Sequence, residues 1–81
     1  MSSKRLNTGR NDDVRLLSVV ALLVDRPEVG LRRGQVGTIV ELLGEDAFEV
    51  EFSDEQGRSY AQIPLTREQF IVLHHRPYEA A

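Results

Sequence analysis

The chain is 81 residues long, 41% hydrophobic and 28% charged, with a formal net charge of minus three and no cysteine. That length gives one domain with a small core, burying about 60 to 65% of the surface its unfolded chain exposes. The composition is that of a globular domain rather than a disordered or fibrous chain, and the lack of cysteine excludes a disulfide scaffold and a thiolate zinc site.

From Met1 to Asp13 the chain is Ser, Asn, Gly and Asp with Lys4, Arg5 and Arg10, and Leu6 is its only large aliphatic side chain after Met1. Residues 1–14 therefore read as a flexible basic tail. This segment lacks the apolar core and small-residue cleavage site of a signal peptide. The longest apolar run, Val19 to Val24, is far short of the roughly 20 residues that a membrane-crossing helix needs. The expected location is cytoplasmic.

Leu16 to Val24 is almost continuously apolar and β-branched at Val19-Val20, which predicts a first strand, with a helical turn at Asp13 to Ser18 left open. Asp25 to Gly30 ends it in a surface loop, because Pro27 has no N–H to give a ladder and Gly30 accepts positive φ. A second strand is predicted over Gln35 to Leu43, then a turn through Gly44-Glu45-Asp46, then a third strand over Ala47 to Phe52. The two form a hairpin. Ser53 to Gly57 is a polar turn into a fourth strand at Arg58 to Ile63. Pro64 to Gln69 is expected to break the pairing, with Thr66 as N-cap of a short helical turn. Phe70 to Leu73 supplies a last short strand, and residues 74–81 read as a frayed end.

Five short strands within residues 15–73 predict an all-β fold, a small five-stranded SH3-like barrel that curls to hide its edges. Phe48, Val50 and Phe52 alternate with acidic residues and face the core, with Val20, Leu22, Ile63 and Val72 as neighbours. Strand two leaves two inward sets open, Val36/Thr38/Val40 and Gly37/Ile39. The order Leu16-Leu17, Val19 to Leu22, the Asp25/Pro27/Gly30-Leu31 loop, Gly34 to Val40, Val50-Glu51-Phe52 and Gly57 through Tyr60-Ala61 resembles a family of small bacterial proteins. That family, common in cyanobacteria, is catalogued only as a domain of unknown function. The resemblance spans Leu16 to Leu73 and implies an SH3-like fold, a stand-alone bacterial protein and no known enzymatic activity. It carries over no catalytic or binding residues. Leu23-Val24 and the extension through Asp13 depart from the family's pattern.

The chemistry-bearing residues assemble no catalytic site. The two histidines, His74 and His75, are adjacent, and neighbours on a strand point to opposite faces and do not chelate one ion. Glu45-Asp46, Glu49, Glu51 and Asp54-Glu55 crowd one hairpin, but turns and an outward strand face leave carboxylates solvated, whereas acid chemistry needs one set in an apolar cleft. No helix and no Gly-Lys-Ser/Thr follows Gly30, Gly34 and Gly37, so they do not form a phosphate loop. The expectation is a chain that is not an enzyme, with no cofactor and no metal.

Residues 1–40 hold seven Lys and Arg against four Asp and Glu, and residues 41–81 hold three against nine. The acidic second half disfavours a nucleic acid laid across it. A nucleic-acid alternative therefore rests on Arg26, Arg32 and Arg33, with Tyr60 as the stacking platform. The apolar excess of Leu16-Leu17, Leu22-Leu23-Val24 and Leu42-Leu43 points instead to a surface covered by the tail, a second copy or a partner. Leu23 and Leu43, rimmed by Arg32, Arg33, Glu49 and Glu51, are the candidate protein-binding residues. The expected function is a protein-binding module, acting as an accessory subunit or as an antitoxin-like or immunity-like neutralising partner of a larger protein, with a homo-oligomer as a further possibility.

Overall fold

The alternating and β-branched segments fold into five strands: β1 (Val19–Leu22), β2 (Val36–Leu42), β3 (Ala47–Ser53), β4 (Ser59–Thr66) and β5 (Phe70–Val72). Short 3-10 turns occupy Pro27–Val29 and Arg67–Gln69. The structure is a computed structural model and describes residues 14–75 and 77. The tail at 1–13 and most of the C-terminal end assigned from the sequence lie outside the described residues. All pairings are antiparallel, in one sheet of order β4-β3-β2-β1-β5. Register shifts between Ile39 and Glu41 and between Phe52 and Ser53 curl that sheet toward a small barrel-like form.

The concave face holds Val20, Leu22, Leu31, Ile39, Phe48, Val50, Phe52, Ile63, Leu65, Phe70 and Val72. Every inward residue expected on strands one, three, four and five is among them. Strand two is settled in favour of Gly37 and Ile39, since Ile39 is fully buried while Val36 is exposed. Leu31 and Leu65 are core residues that the sequence pattern did not mark. Leu31 belongs to a loop, where no periodicity reports burial, and is pinned by its bridge to Arg26.

Pro64 is a correction to the sequence reading. It does not break the fourth strand: β4 runs through it, with Glu49 opposite Pro64 and Phe48 opposite Leu65. Both polar backbone groups of Ile39 bond toward β1, its N–H to the Ser18 oxygen at 2.9 Å and its carbonyl to the Leu17 N–H at 2.7 Å. Alternation along β2, β3 and β4 then directs the backbone of Ile63 to β3 and that of Pro64 to the open side of the sheet. The ladder thus never requires the missing N–H.

The first strand is shorter than its apolar run. Leu16 and Leu17 form a turn in which the Ser18 N–H donates to the Arg15 carbonyl at 3.0 Å, while the Ser18 hydroxyl oxygen accepts the Arg15 N–H at 3.0 Å. Leu17 has a φ of 70°, the left-handed region. At the other end Thr66 is the N-cap expected, its N–H donating to Gln69 Oε1 at 2.9 Å. Phe48 and Phe70 meet edge to face at 5.4 Å, and the Arg67 guanidinium lies 5.1 Å from the Phe70 ring.

The β3–β4 turn is organised by one carboxylate. Asp54 Oδ1 accepts the N–H groups of Gln56 and Arg58, each at 2.9 Å, and Oδ2 pairs with Arg58 Nε at 3.2 Å. The Arg58 amide, more than any other group, holds the Asp54 carboxyl below the usual carboxylate range. A carboxyl depressed in the folded state contributes stability above its unfolded pKa and loses it as pH falls through the folded value. Asp54→Ala is therefore expected to lower the melting temperature at neutral pH, with the gap to the parent chain closing on acidification. Thermal melts of both chains across a pH series check this.

Candidate docking surface

The convex face of the sheet is set by the same alternation that fills the core. Ala21 stands opposite Val36 on β2 and Ile71 on β5, so these three side chains form one row across three strands. Val36 is 48% exposed and Ile71 49%. The row is extended along β1 by Val19 and Leu23, whose backbones bond β5's side through Leu73 N–H to Val19 oxygen at 2.8 Å and Leu23 N–H to Gln69 oxygen at 2.9 Å. Leu23 and Leu73 are also exposed. The stripe continues across β2 to Thr38, which faces Glu51 on β3. Glu49 follows on the same face, its carboxylate accepting Gln62 Nε2 at 3.2 Å.

One end of the stripe is capped by a basic turn. Gln35 N–H donates to the Arg32 carbonyl at 3.1 Å and Gly34 has a φ of 95°, the geometry of a type II turn with Arg33 at its tip. The Gly34 N–H reaches the Leu22 carbonyl at 2.7 Å, which fixes this turn against the end of β1. The Gln35 side chain ties it further: Oε1 accepts the Arg32 N–H at 2.6 Å and Nε2 donates to the Tyr60 hydroxyl at 3.1 Å. Asp25 Oδ1 accepts the Arg33 N–H at 2.8 Å.

The structure divides the residues expected to bind protein. Leu23, Arg32 and Arg33 share one end of β1, and Glu49 and Glu51 lie on the convex flank of the stripe. Leu43 stands apart beyond the far end of β2, its N–H closing the β2–β3 turn on the Ala47 carbonyl at 2.9 Å. Val36, Ile71, Val19 and Leu73 were missed, because a row that crosses strands is visible only once the register is known. Of the residues proposed to meet nucleic acid, Arg32 and Tyr60 are brought together through Gln35. Arg26 is instead engaged by Glu28, Nε to Oε2 at 2.9 Å, a contact that holds the Glu28 carboxyl below its ordinary value. With Asp25 under Arg33 as well, the corner is a mixed-charge surface, not a basic track.

His74 and His75 are both exposed. Among the described residues no group of three or more His, Cys, Asp or Glu is placed to hold a metal ion, and no helix is long and apolar enough to cross a membrane. Residues 16–72 match the model of a family described as a domain of unknown function, DUF4926. No curated protein and no solved structure matches the chain.

Proposed function

The chain belongs to the DUF4926 family of domains of unknown function, and on that premise we propose that it is a non-enzymatic, cytoplasmic protein-binding module of bacterial type built on an SH3-like barrel. It acts as an accessory or neutralising subunit of a larger protein and docks through the convex face of β5, β1 and β2. The observation that carries this reading is the row Ile71, Ala21 and Val36, widened by Leu23 and Leu73. An apolar centre with Arg32 and Arg33 at one end and Glu51 on one flank has the anatomy of a docking surface, an apolar core inside a charged rim. The strand order and the 3-10 turn before the last strand support the SH3-like assignment. A net charge of minus three suits a subunit that covers a basic cleft.

The test is affinity purification of the tagged chain from its own cells with nuclease present, beside the variants Ile71→Asp and Arg32→Glu/Arg33→Glu. Ile71 is solvent-facing, so its substitution is expected to leave the fold intact. One stoichiometric protein retained by the parent chain and lost from Ile71→Asp is the expected result. Recovery of that protein equally by Ile71→Asp overturns the proposed face. Recovery of nucleic acid alone, sensitive to salt and to the arginine reversal, replaces the reading with the nucleic-acid one.

A further inference from the structure

The two outer strands of the sheet, β5 and β4, are built differently. β5 is three residues long, and its ladder to β1 runs through Gln69, Ile71 and Leu73, with the Leu23 N–H on the Gln69 carbonyl and the Leu73 N–H on the Val19 carbonyl. Phe70 is thereby turned to the outer side, where its carbonyl accepts Arg67 Nη1 at 3.2 Å. That edge is short and its first acceptor is taken. β4 is eight residues long, the longest of the five strands, and Ser59–Thr66 holds no charged side chain. A long uncharged edge containing Ile63 and Leu65 is of the kind that templates further strands, and no Lys or Glu on it opposes this.

What limits β4 is its backbone. Ile63 and Leu65 bond toward β3, so Gln62, Pro64 and Thr66 present their backbones to the open side. Gln62 presents an N–H and a carbonyl. Pro64 has no N–H, and its ring fills the place where that hydrogen would stand. The Thr66 N–H is already bound to Gln69 Oε1 at 2.9 Å, from the turn that follows the strand. A second copy laid antiparallel against this edge about position 64 would meet a central rung with no donor on either side. In the flanking rungs Gln62 would stand opposite Thr66 of the other copy, and only the bond given by Gln62 would form.

We propose that Pro64 and Gln69 guard the β4 edge against strand addition by a second copy of this chain, through the backbone donors they withhold rather than through charge. Pro64 is exposed, and its neighbour across the ladder, Glu49, takes no bond from position 64, so the fold itself does not require a proline there. The inference does not depend on what docks at the convex face.

The test is sedimentation velocity of the full chain and its variants from about 1 μM to about 1 mM, with hydrogen exchange of the Gln62 amide read in parallel. The parent chain is expected to keep an unprotected Gln62 amide at every concentration. Pro64→Thr restores the donor in a residue suited to strands, and is expected to associate with protection of that amide. Pro64→Lys restores the same N–H but sets like charges opposite each other at the central rung, and is expected not to associate. It separates edge pairing from any effect of losing the ring. Pro64→Thr/Gln69→Ala also releases the Thr66 N–H, and is expected to associate roughly tenfold more tightly than Pro64→Thr. A Pro64→Thr chain that gains no association overturns the proposal, as does a Pro64→Lys chain that associates equally, or a parent chain whose Gln62 amide becomes protected as concentration rises. A double variant no tighter than Pro64→Thr removes Gln69 from the guard.

Discussion

Gly37→Ala is expected to destabilise the fold by about 3 kcal/mol or more, a large part of what a domain of this size has available. A Cβ placed at Gly37 falls 2.8 Å from Val50 Cγ1, 2.9 Å from the Glu51 carbonyl oxygen and 3.0 Å from Phe52 Cδ2. A side-chain methyl can turn away, but the Glu51 oxygen cannot. It belongs to the β2–β3 ladder, where Glu51 pairs with Thr38, and moving it breaks that rung. Gly37 therefore has no choice of residue, whatever the strand propensity of its neighbours. Urea denaturation followed by far-ultraviolet circular dichroism measures the loss, and an unchanged midpoint contradicts the close approach. Gly34→Ala serves as the comparison: its Cβ meets nothing within 4 Å, so its cost arises only from the φ of 95°.

Phe70→Ala is expected to cost about 3 to 5 kcal/mol, and the adjacent Ile71→Ala within about 0.5 kcal/mol of nothing. Phe70 is 1% exposed, packs edge to face on Phe48 and lies under the Arg67 guanidinium, which also donates to the Phe70 carbonyl at 3.2 Å. Its removal opens a cavity against Phe48 and takes away the ring beneath the Arg67 guanidinium. Ile71 faces outward in the same three-residue strand and loses only partly exposed surface. The contrast separates core from convex face across a single peptide bond. Equal losses for the two variants in the same denaturation experiment contradict the assigned orientation of β5.

The alternating stretch Ala47 to Phe52 was the most legible part of the sequence, because a period of two with acidic residues between Phe48, Val50 and Phe52 admits only one inward face. The all-β class and the five strands followed from it and from the polar turns. Strand two was ambiguous for a physical reason: Val36, Thr38 and Val40 are good strand residues on either face, and only the backbone contact at Gly37 reveals which one is covered. Leu16 to Val24 misled in the other direction. A continuous apolar run marks burial on both faces in a large sheet, whereas here its first two residues form an exposed turn and Leu23 joins the convex stripe. Pro64 was read by its general dislike of ladders, and strand edges are invisible until pairing is known. The candidate site shares that limit. Leu23, Arg32 and Arg33 stand out in the sequence as single residues, but the row joining Ile71, Ala21 and Val36 is a product of register.

The pairing of β1 with β5 sets the order in which the molecule can be made. Val20 pairs with Val72 and Leu22 with Phe70, so β1 waits for β5, some 50 residues on, before its second edge is closed. The β2–β3–β4 meander contains only local pairings and can assemble before that distant contact forms. Until it does, the folding chain carries Val19 to Leu22 with one flank unpaired, a segment that any nearby strand can template. Pairing of Phe70, Ile71 and Val72 ends the exposure, so the strand that carries Ile71 to the convex face is also the one that closes the sheet.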